Sequence, residues 1–393
     1  MFNMSRFDLA RHRRGLTKRD LAHKLEITDR TIANWYSNGS VDDRAVDKIA
    51  DVLNFPISFF YGDDIEEVKI EAVSFRALSK LSAKKRDIAL SQTSLAKLIS
   101  DWIDSKFELP EVDVPDLHEL RYDFSESPTQ PTYNYQNANQ IDLSISDGST
   151  DEDFCKDSSY PEACAEVVRK AWGLGEKPIP HLIAMLESKG IRVFSLSDDA
   201  QEVDACCEWS SNRPFIFLNT AKTSERCRFD AAHELGHLVM HKHGVIESKQ
   251  MEQEANAFAS AFLMPRRSIL ANPLRNPTLK TITVKKQIWK VSAAALTYRY
   301  HKLGLISDWN SISIYKQLAQ KGRTFEPDSI PHESSILLSK VFTALHSEGI
   351  RLTDISKELH LYSSEISSLT FNVANKFINE AAEKQREKIR ILE

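Results

Sequence analysis

His233-Glu234-Leu235-Gly236-His237 sets two histidines four residues apart with a glutamate beside the first. Residues four apart on a helix share a face, so His233 and His237 can turn both imidazoles toward one ion while Glu234 projects beside them. Two neutral histidines hold a divalent metal, and a neighbouring carboxylate takes a proton from the water that the ion activates. Zn2+ is the expected cofactor and Glu234 the expected general base. The flanks, Phe229-Asp230-Ala231-Ala232 and Leu238-Val239-Met240-His241, keep the helix apolar on the faces away from the metal. Gly236 costs about 1 kcal/mol inside a helix, which implies close packing there, against a strand or a substrate.

A catalytic zinc needs a third protein ligand and keeps its fourth position open. The helix expected to begin near Ser248 offers two acids, Glu252 and Glu254. Glu252 is the favoured ligand because Asn256, four residues on, shares its face and can orient a ligating histidine from behind. Glu254 is the competing choice. His241 and His243 read as surface or packing residues. Tyr298, Arg299 and His301 are the candidates for stabilising an oxyanion.

Outward from this motif, the 393 residues are too many for one ordinary core and suggest two or three domains. With 41% hydrophobic and 27% charged residues, the composition is that of a soluble globular protein. A net charge of −5 neither favours nor excludes nucleic acid, because the local distribution of basic residues decides that. No apolar run approaches the roughly 18 residues of a membrane span, so no membrane association is expected. The five cysteines (Cys155, Cys164, Cys206, Cys207 and Cys227) form no Cys-x-x-Cys pair, which argues against a disulfide framework and fits a reducing cytoplasm.

The chain divides by pattern. Residues 1–65 read as short helices, with apolar positions at helical spacing and Thr17 and Thr28 placed as caps. A helical connector is expected over 66–122, and a flexible polar insertion over 123–159, where Ser, Asn, Gln, Thr, Pro and Asp dominate. From 160 to 275, helices at Ala163 to Trp172 and Pro180 to Ser188 alternate with strands at Ile191 to Phe194 and Phe215 to Leu218, an α+β arrangement. The remainder, 276–393, is helical. Lys286 to Leu305 and Leu352 to Phe371 look like small helix-turn-helix units or plain hairpins, and Lys384 to Arg390 reads as a solvated charged face.

The combination Asn219, Arg228 to His241, and Glu252 to Pro265 ending Ala261-Phe262-Leu263-Met264-Pro265 resembles the ImmA/IrrE-type metallopeptidases. Pro161-Glu162-Ala163, Trp172-Gly173-Leu174-Gly175 and Trp289 to Ile306 are similar to that family too. The resemblance covers roughly 160–330. It implies a zincin-like fold of the gluzincin kind, with His233, His237 and Glu252 as zinc ligands, Glu234 as general base, and helix-turn-helix repressors as substrates. Residues 5–64 resemble an XRE-type (lambda-repressor-like) helix-turn-helix domain through Arg13-Arg14-Gly15-Leu16-Thr17, Asp20-Leu21-Ala22 and Thr31-Ile32-Ala33-Asn34-Trp35. That implies a recognition helix over Thr28 to Ser37, with Arg30, Thr31 and Asn34 reaching bases and Arg11, Arg13, Lys18 and Arg19 reaching phosphates. Three positions depart from the usual pattern: Lys18 stands for glutamine, Glu26 for the turn glycine and Tyr36 for glutamate.

The expected fold class is therefore multidomain: an all-α helix-turn-helix domain, an α+β zincin-like peptidase domain and a mainly helical C-terminal region. The expected function is a cytoplasmic regulatory metalloendopeptidase with double-stranded DNA as one partner and a repressor or antitoxin as substrate. A homodimer is a candidate assembly. Two other classes compete: a transcriptional repressor whose peptidase-like domain senses a signal or binds a partner without turnover, and the toxin of a toxin–antitoxin module.

Overall fold

The computed structural model describes residues 1–66, 68, 73–75, 82–120, 159–197, 203–241, 248–322 and 325–375. Apart from Ser159, the expected polar insertion lies outside the described residues, as do His243 and the run Lys384 to Arg390.

The N-terminal unit is all helical: α1 (Met4–Arg13), α2 (Lys18–Leu25), α3 (Asp29–Asn38), α4 (Asp43–Leu53) and a 3-10 turn (Ile57–Tyr61). Its boundaries are chemical. Thr17 caps α2 in a reciprocal box with Asp20, and Thr28 caps α3 by accepting from the Thr31 amide. Between those helices Glu26 takes the left-handed conformation at φ 58°, where glycine is the cheaper residue. Its carboxylate pairs with Lys48 at 2.6 Å across the surface. Phe7, Leu21, Ile32, Trp35, Ile49 and Phe59 close the core. Arg30 and Asn34 stay exposed on the outer face of α3 and Thr31 is half-buried.

A four-stranded sheet with order β1-β3-β4-β2 organises the rest. Its strands are β1 (Val73–Phe75), β2 (Arg192–Leu196), β3 (Ala205–Ser210) and β4 (Arg213–Asn219). β3 runs antiparallel to β1 and β4, while β2 runs parallel to β4. Two of these strands correct the sequence reading. β1 lies within the stretch expected to be a helical connector, and β3 falls where the Cys206-Cys207 pair masks a strand. Ser211 and Asn212, at φ 49° and 62°, make the tight turn that joins β3 to β4.

Alternation along the strands sends side chains to two separate cores. Val193, Ala205, Cys207, Ile216 and Leu218 face the helices of the metal motif. Phe194, Leu196, Cys206, Phe215 and Phe217 face the opposite way, into a core shared with the N-terminal unit. Helix α5 (Ala83–Asp104) and three C-terminal helices, α14 (Ile336–Ser347), α15 (Leu352–Leu359) and α16 (Ser363–Leu369), complete that second core. The sheet is thus sandwiched, with the helix-turn-helix unit behind it and the metal helix in front.

In front lie α6 (Ser159–Ala171), α7 (Leu182–Ser188), α8 (Ser224–Met240), α9 (Lys249–Leu263), α10 (Arg266–Ala271), α11 (Leu279–Trp289), α12 (Ala293–Lys302) and α13 (Asp308–Gln320). Their common core continues to Ile314, so the boundary expected at 275 falls inside one packed unit. Segment 325–335 then crosses this unit on ionic contacts. Glu326 pairs with Lys286 at 2.9 Å, and Glu333 pairs with Arg228 while accepting the Leu182 amide at 2.7 Å.

Arg13 corrects a second expectation. It is only 2% exposed, its Nε donates to Glu365 at 2.5 Å and its Nη2 to the Ser197 hydroxyl at 3.0 Å. It joins the N-terminal unit to α16 and to the end of β2, and from there it cannot reach a phosphate. Arg11 is buried as well, bound to Asp8 and to the Leu16 carbonyl. Lys18 remains exposed, with its ammonium 3.3 Å from the centre of the Tyr36 ring.

Each of the two later segments is a pair of short helices joined by a turn with one left-handed residue. Lys290 at φ 55° separates α11 from α12, and His360 at φ 56° separates α15 from α16. Their second helices are packed into cores: Leu296, Thr297 and Tyr300 of α12, and Ile366, Ser367 and Leu369 of α16, are buried. They serve as packing elements. Among the described residues no helix is long and apolar enough to cross a membrane.

Candidate metal centre

Helix α8 is built so that one face packs and another carries chemistry. Thr223 caps it by accepting the Arg226 amide. Ala231, Ala232, Leu235, Leu238 and Val239 are buried in the front core, and they fix the rotation of His233, Glu234 and His237. Both histidines and Glu234 are almost wholly buried, at 0, 2 and 0% exposure for His233, His237 and Glu234.

Helix α9 brings the third group. Ser248 caps it through the Met251 amide, which places Glu252 in the first turn, where an acid is favoured by the helix dipole. Glu252 Oε1 lies 3.1 Å from His237 Nε2 and Oε2 lies 3.5 Å from His233 Nε2. The two Nε2 atoms are themselves 3.1 Å apart. One ligand atom from each of the three residues falls within a span of 4.8 Å. A tetrahedron with zinc bonds of about 2.0–2.1 Å has edges of about 3.3–3.4 Å, so this donor set fits the ion. Burial alone would raise the Glu252 carboxyl, but attraction to His233 and His237 outweighs it and holds the group well below the ordinary carboxylate range. The carboxylate is therefore available in its ligating form.

The outer nitrogens are equally well defined. His233 Nδ1 lies 3.1 Å from Asn256 Oδ1, which accepts its proton and leaves Nε2 for the metal. His237 Nδ1 meets His241 Nδ1 at 2.9 Å, and His241 Nε2 meets Glu254 Oε2 at 3.0 Å. One proton arrangement satisfies this chain. Glu254 accepts from His241 Nε2–H, and His241 Nδ1 accepts from His237 Nδ1–H, which leaves Nε2 of His237 unprotonated and able to ligate a metal. Of the two acids, Glu252 reaches the histidine pair and Glu254 lies against His241. Sequence reading took His241 for a bystander. The signal was its position, four residues after His237 on the same helical face.

Gly236 lies against α9, not against a strand or substrate. A Cβ there would sit 3.1 Å from Phe258 Cδ1 and 3.3 Å from the Ala255 Cα. Gly236→Ala gains about 1 kcal/mol of helix propensity and costs about 1–3 kcal/mol in overpacking. The expected outcome is a lower melting temperature together with weaker zinc binding, since the α8–α9 separation sets the distance from the histidines to Glu252. Thermal melts and a zinc titration check both.

Of the candidates for an oxyanion donor, Arg299 is committed elsewhere. It is 2% exposed and donates to Glu162 at 2.5 Å and to the Met264 carbonyl at 3.0 Å. His301 pairs with Asp308 at 2.6 Å.

Fold and site together define a helix-turn-helix domain joined to an α+β domain with a zinc-hydrolase-like cluster on its central helix. Residues 186–301 match the model of the IrrE N-terminal-like domain of the M78 peptidases, and residues 9–60 match a helix-turn-helix model. The chain therefore joins an XRE-type helix-turn-helix domain to an ImmA/IrrE-type domain. No curated protein matches the sequence.

Proposed function

We propose that the protein is a regulatory zinc-dependent endopeptidase held on double-stranded DNA by its N-terminal domain, and that it cleaves a repressor- or antitoxin-like protein in a stress, mobile-element or phage-defence switch. The observation that carries this reading is the convergence of His233, His237 and Glu252 beside a buried Glu234. A zinc ion held there supplies Lewis acidity and lowers the pKa of water to about 7. Glu234 receives the proton of the attacking water and returns it to the leaving amine. Asn256, His241 and Glu254 keep the ligand imidazoles in the tautomer and orientation that the ion requires. The test is incubation of the purified, zinc-loaded protein with a panel of small helix-turn-helix regulators. A product that forms with zinc and disappears with a chelator supports the reading. Intact regulators under both conditions contradict it.

On the DNA side, Arg30, Thr31 and Asn34 of α3 are assigned to base edges and Lys18 to a phosphate. Each good bidentate contact contributes about 1–3 kcal/mol of discrimination. Arg30→Ala with Asn34→Ala should therefore lower preference for a duplex selected from a random pool by at least about tenfold. Gel shifts read this, and unchanged preference refutes the assignment of α3.

A second reading, a repressor that senses a partner without turnover, draws support from the Arg13–Glu365–Ser197 link between the helix-turn-helix unit and the sheet behind the metal helix. Glu234→Gln separates the two. A sensor keeps its regulation of transcription in that variant, and a protease loses it.

A further inference from the structure

We propose that the first turn of α5, with Lys84, Lys85 and Arg86, is a second phosphate-binding element that extends the DNA face of the helix-turn-helix domain. The proposal rests on the DNA reading above. Gly15, at φ +59°, forms the turn that leads into α2. A Cβ on Gly15 would lie 2.8 Å from both Lys84 Cε and Ile88 Cδ1, so α5 is seated directly on that turn. Buried Ile88 and Ala89 anchor it in the core that α1 shares. The side chain of Lys84 is exposed, and those of Lys85 and Arg86 are half-buried.

The position gives this cluster its meaning. In a helix-turn-helix domain the helix before the recognition helix crosses the DNA backbone, with basic side chains and amides meeting phosphates near its start. Here that start is Thr17 to Asp20, with Lys18 and Arg19 exposed. Lys84 is close enough for its charge to be felt at Asp20, whose carboxyl is lowered first by Thr17 and further by Lys84 and Arg19. The acids on the two turns are Asp20 and Asp87, outnumbered by Lys18, Arg19, Lys84, Lys85 and Arg86. With Arg13 and Arg11 withdrawn into the interior, α5 adds cations to the Lys18 and Arg19 that the N-terminal domain presents there.

The experiment measures binding of a mixed-sequence DNA duplex against salt concentration, for the full chain and two variants. Each phosphate contact contributes about 0.9 to the slope of log K against log salt. Lys84→Gln, Lys85→Gln and Arg86→Gln together should weaken binding to every duplex alike and lower the slope by about 1–3. The melting temperature and zinc binding should remain unchanged. Lys18→Gln with Arg19→Gln serves as the reference for α2. If that pair lowers the slope and the α5 triple does not, the inference about α5 is wrong while the DNA reading stands. If the unmodified chain binds no duplex at low salt, the DNA reading falls and the inference with it.

Discussion

Replacing His237 by alanine should lower zinc affinity by more than the roughly 10–100-fold lost when an outer-shell partner is removed. His237 is a proposed ligand through Nε2 and also the point where the His241–Glu254 chain reaches the site. Its loss removes one donor of three and leaves His241 without its partner on that side. His241→Ala should fall inside the 10–100-fold range, because the ligand stays while its tautomer and orientation are released. Glu254→Gln should cost less than His241→Ala, since the amide oxygen still accepts the His241 Nε2 proton. Competition with a chromophoric chelator gives all three affinities. The helix itself should survive, because Leu235, Leu238 and Val239 hold α8 in the core. An order in which His241→Ala costs as much as His237→Ala would contradict the outer role given to His241.

The second large effect concerns the joint between domains. Glu365 accepts from Arg13 at 2.5 Å and from Arg14 at 3.4 Å, and both Arg13 and Glu365 are buried. Removing one member of a buried pair leaves an uncompensated charge, at a cost of about 3–5 kcal/mol. Glu365→Ala should therefore destabilise the core behind the sheet by that amount, seen as a shift in denaturation midpoint without loss of the zinc site in front. Replacing both partners with apolar residues, as in Arg13→Met with Glu365→Leu, should recover most of the loss. If Glu365→Ala melts like the unmodified chain, the pair is not what docks the N-terminal domain.

These two sites mark what a sequence discloses and what it hides. The histidine pair of α8 was legible because its geometry depends on spacing within one helix: His233 and His237 share a face whatever the rest of the fold does. Helix α9 was legible for the same reason, with Glu252 and Asn256 one turn apart. The short helices of the N-terminal domain were legible through their caps, and Thr17 and Thr28 occupy those positions. Arg13 was misread because a basic residue before the turn of such a domain ordinarily faces phosphate. Its actual partner is 352 residues away in sequence, and no local pattern encodes that pairing. Strand β3 was missed because Cys206, Cys207 and Glu208 do not alternate in polarity; the strand is buried on both faces, so the period of two is absent. Glu208 is tolerated there beside Lys97, at 3.6 Å, with burial pushing its carboxyl up to about 7. Segment Leu352 to Phe371 was legible as a unit of two helices and a turn, but only packing reveals that its second helix faces the interior.

In the proposed function Glu234 acts as the base of a zinc peptidase. Its most direct test is a comparison of newly formed protein N-termini in cells expressing either the unmodified chain or Glu234→Gln. A general base contributes about 10²–10⁴-fold to rate, so termini produced by the unmodified chain should vanish in the variant while its zinc content stays the same. If the same termini persist with Glu234→Gln, or if neither form produces any, Glu234 is not the base and the site is not a peptidase centre.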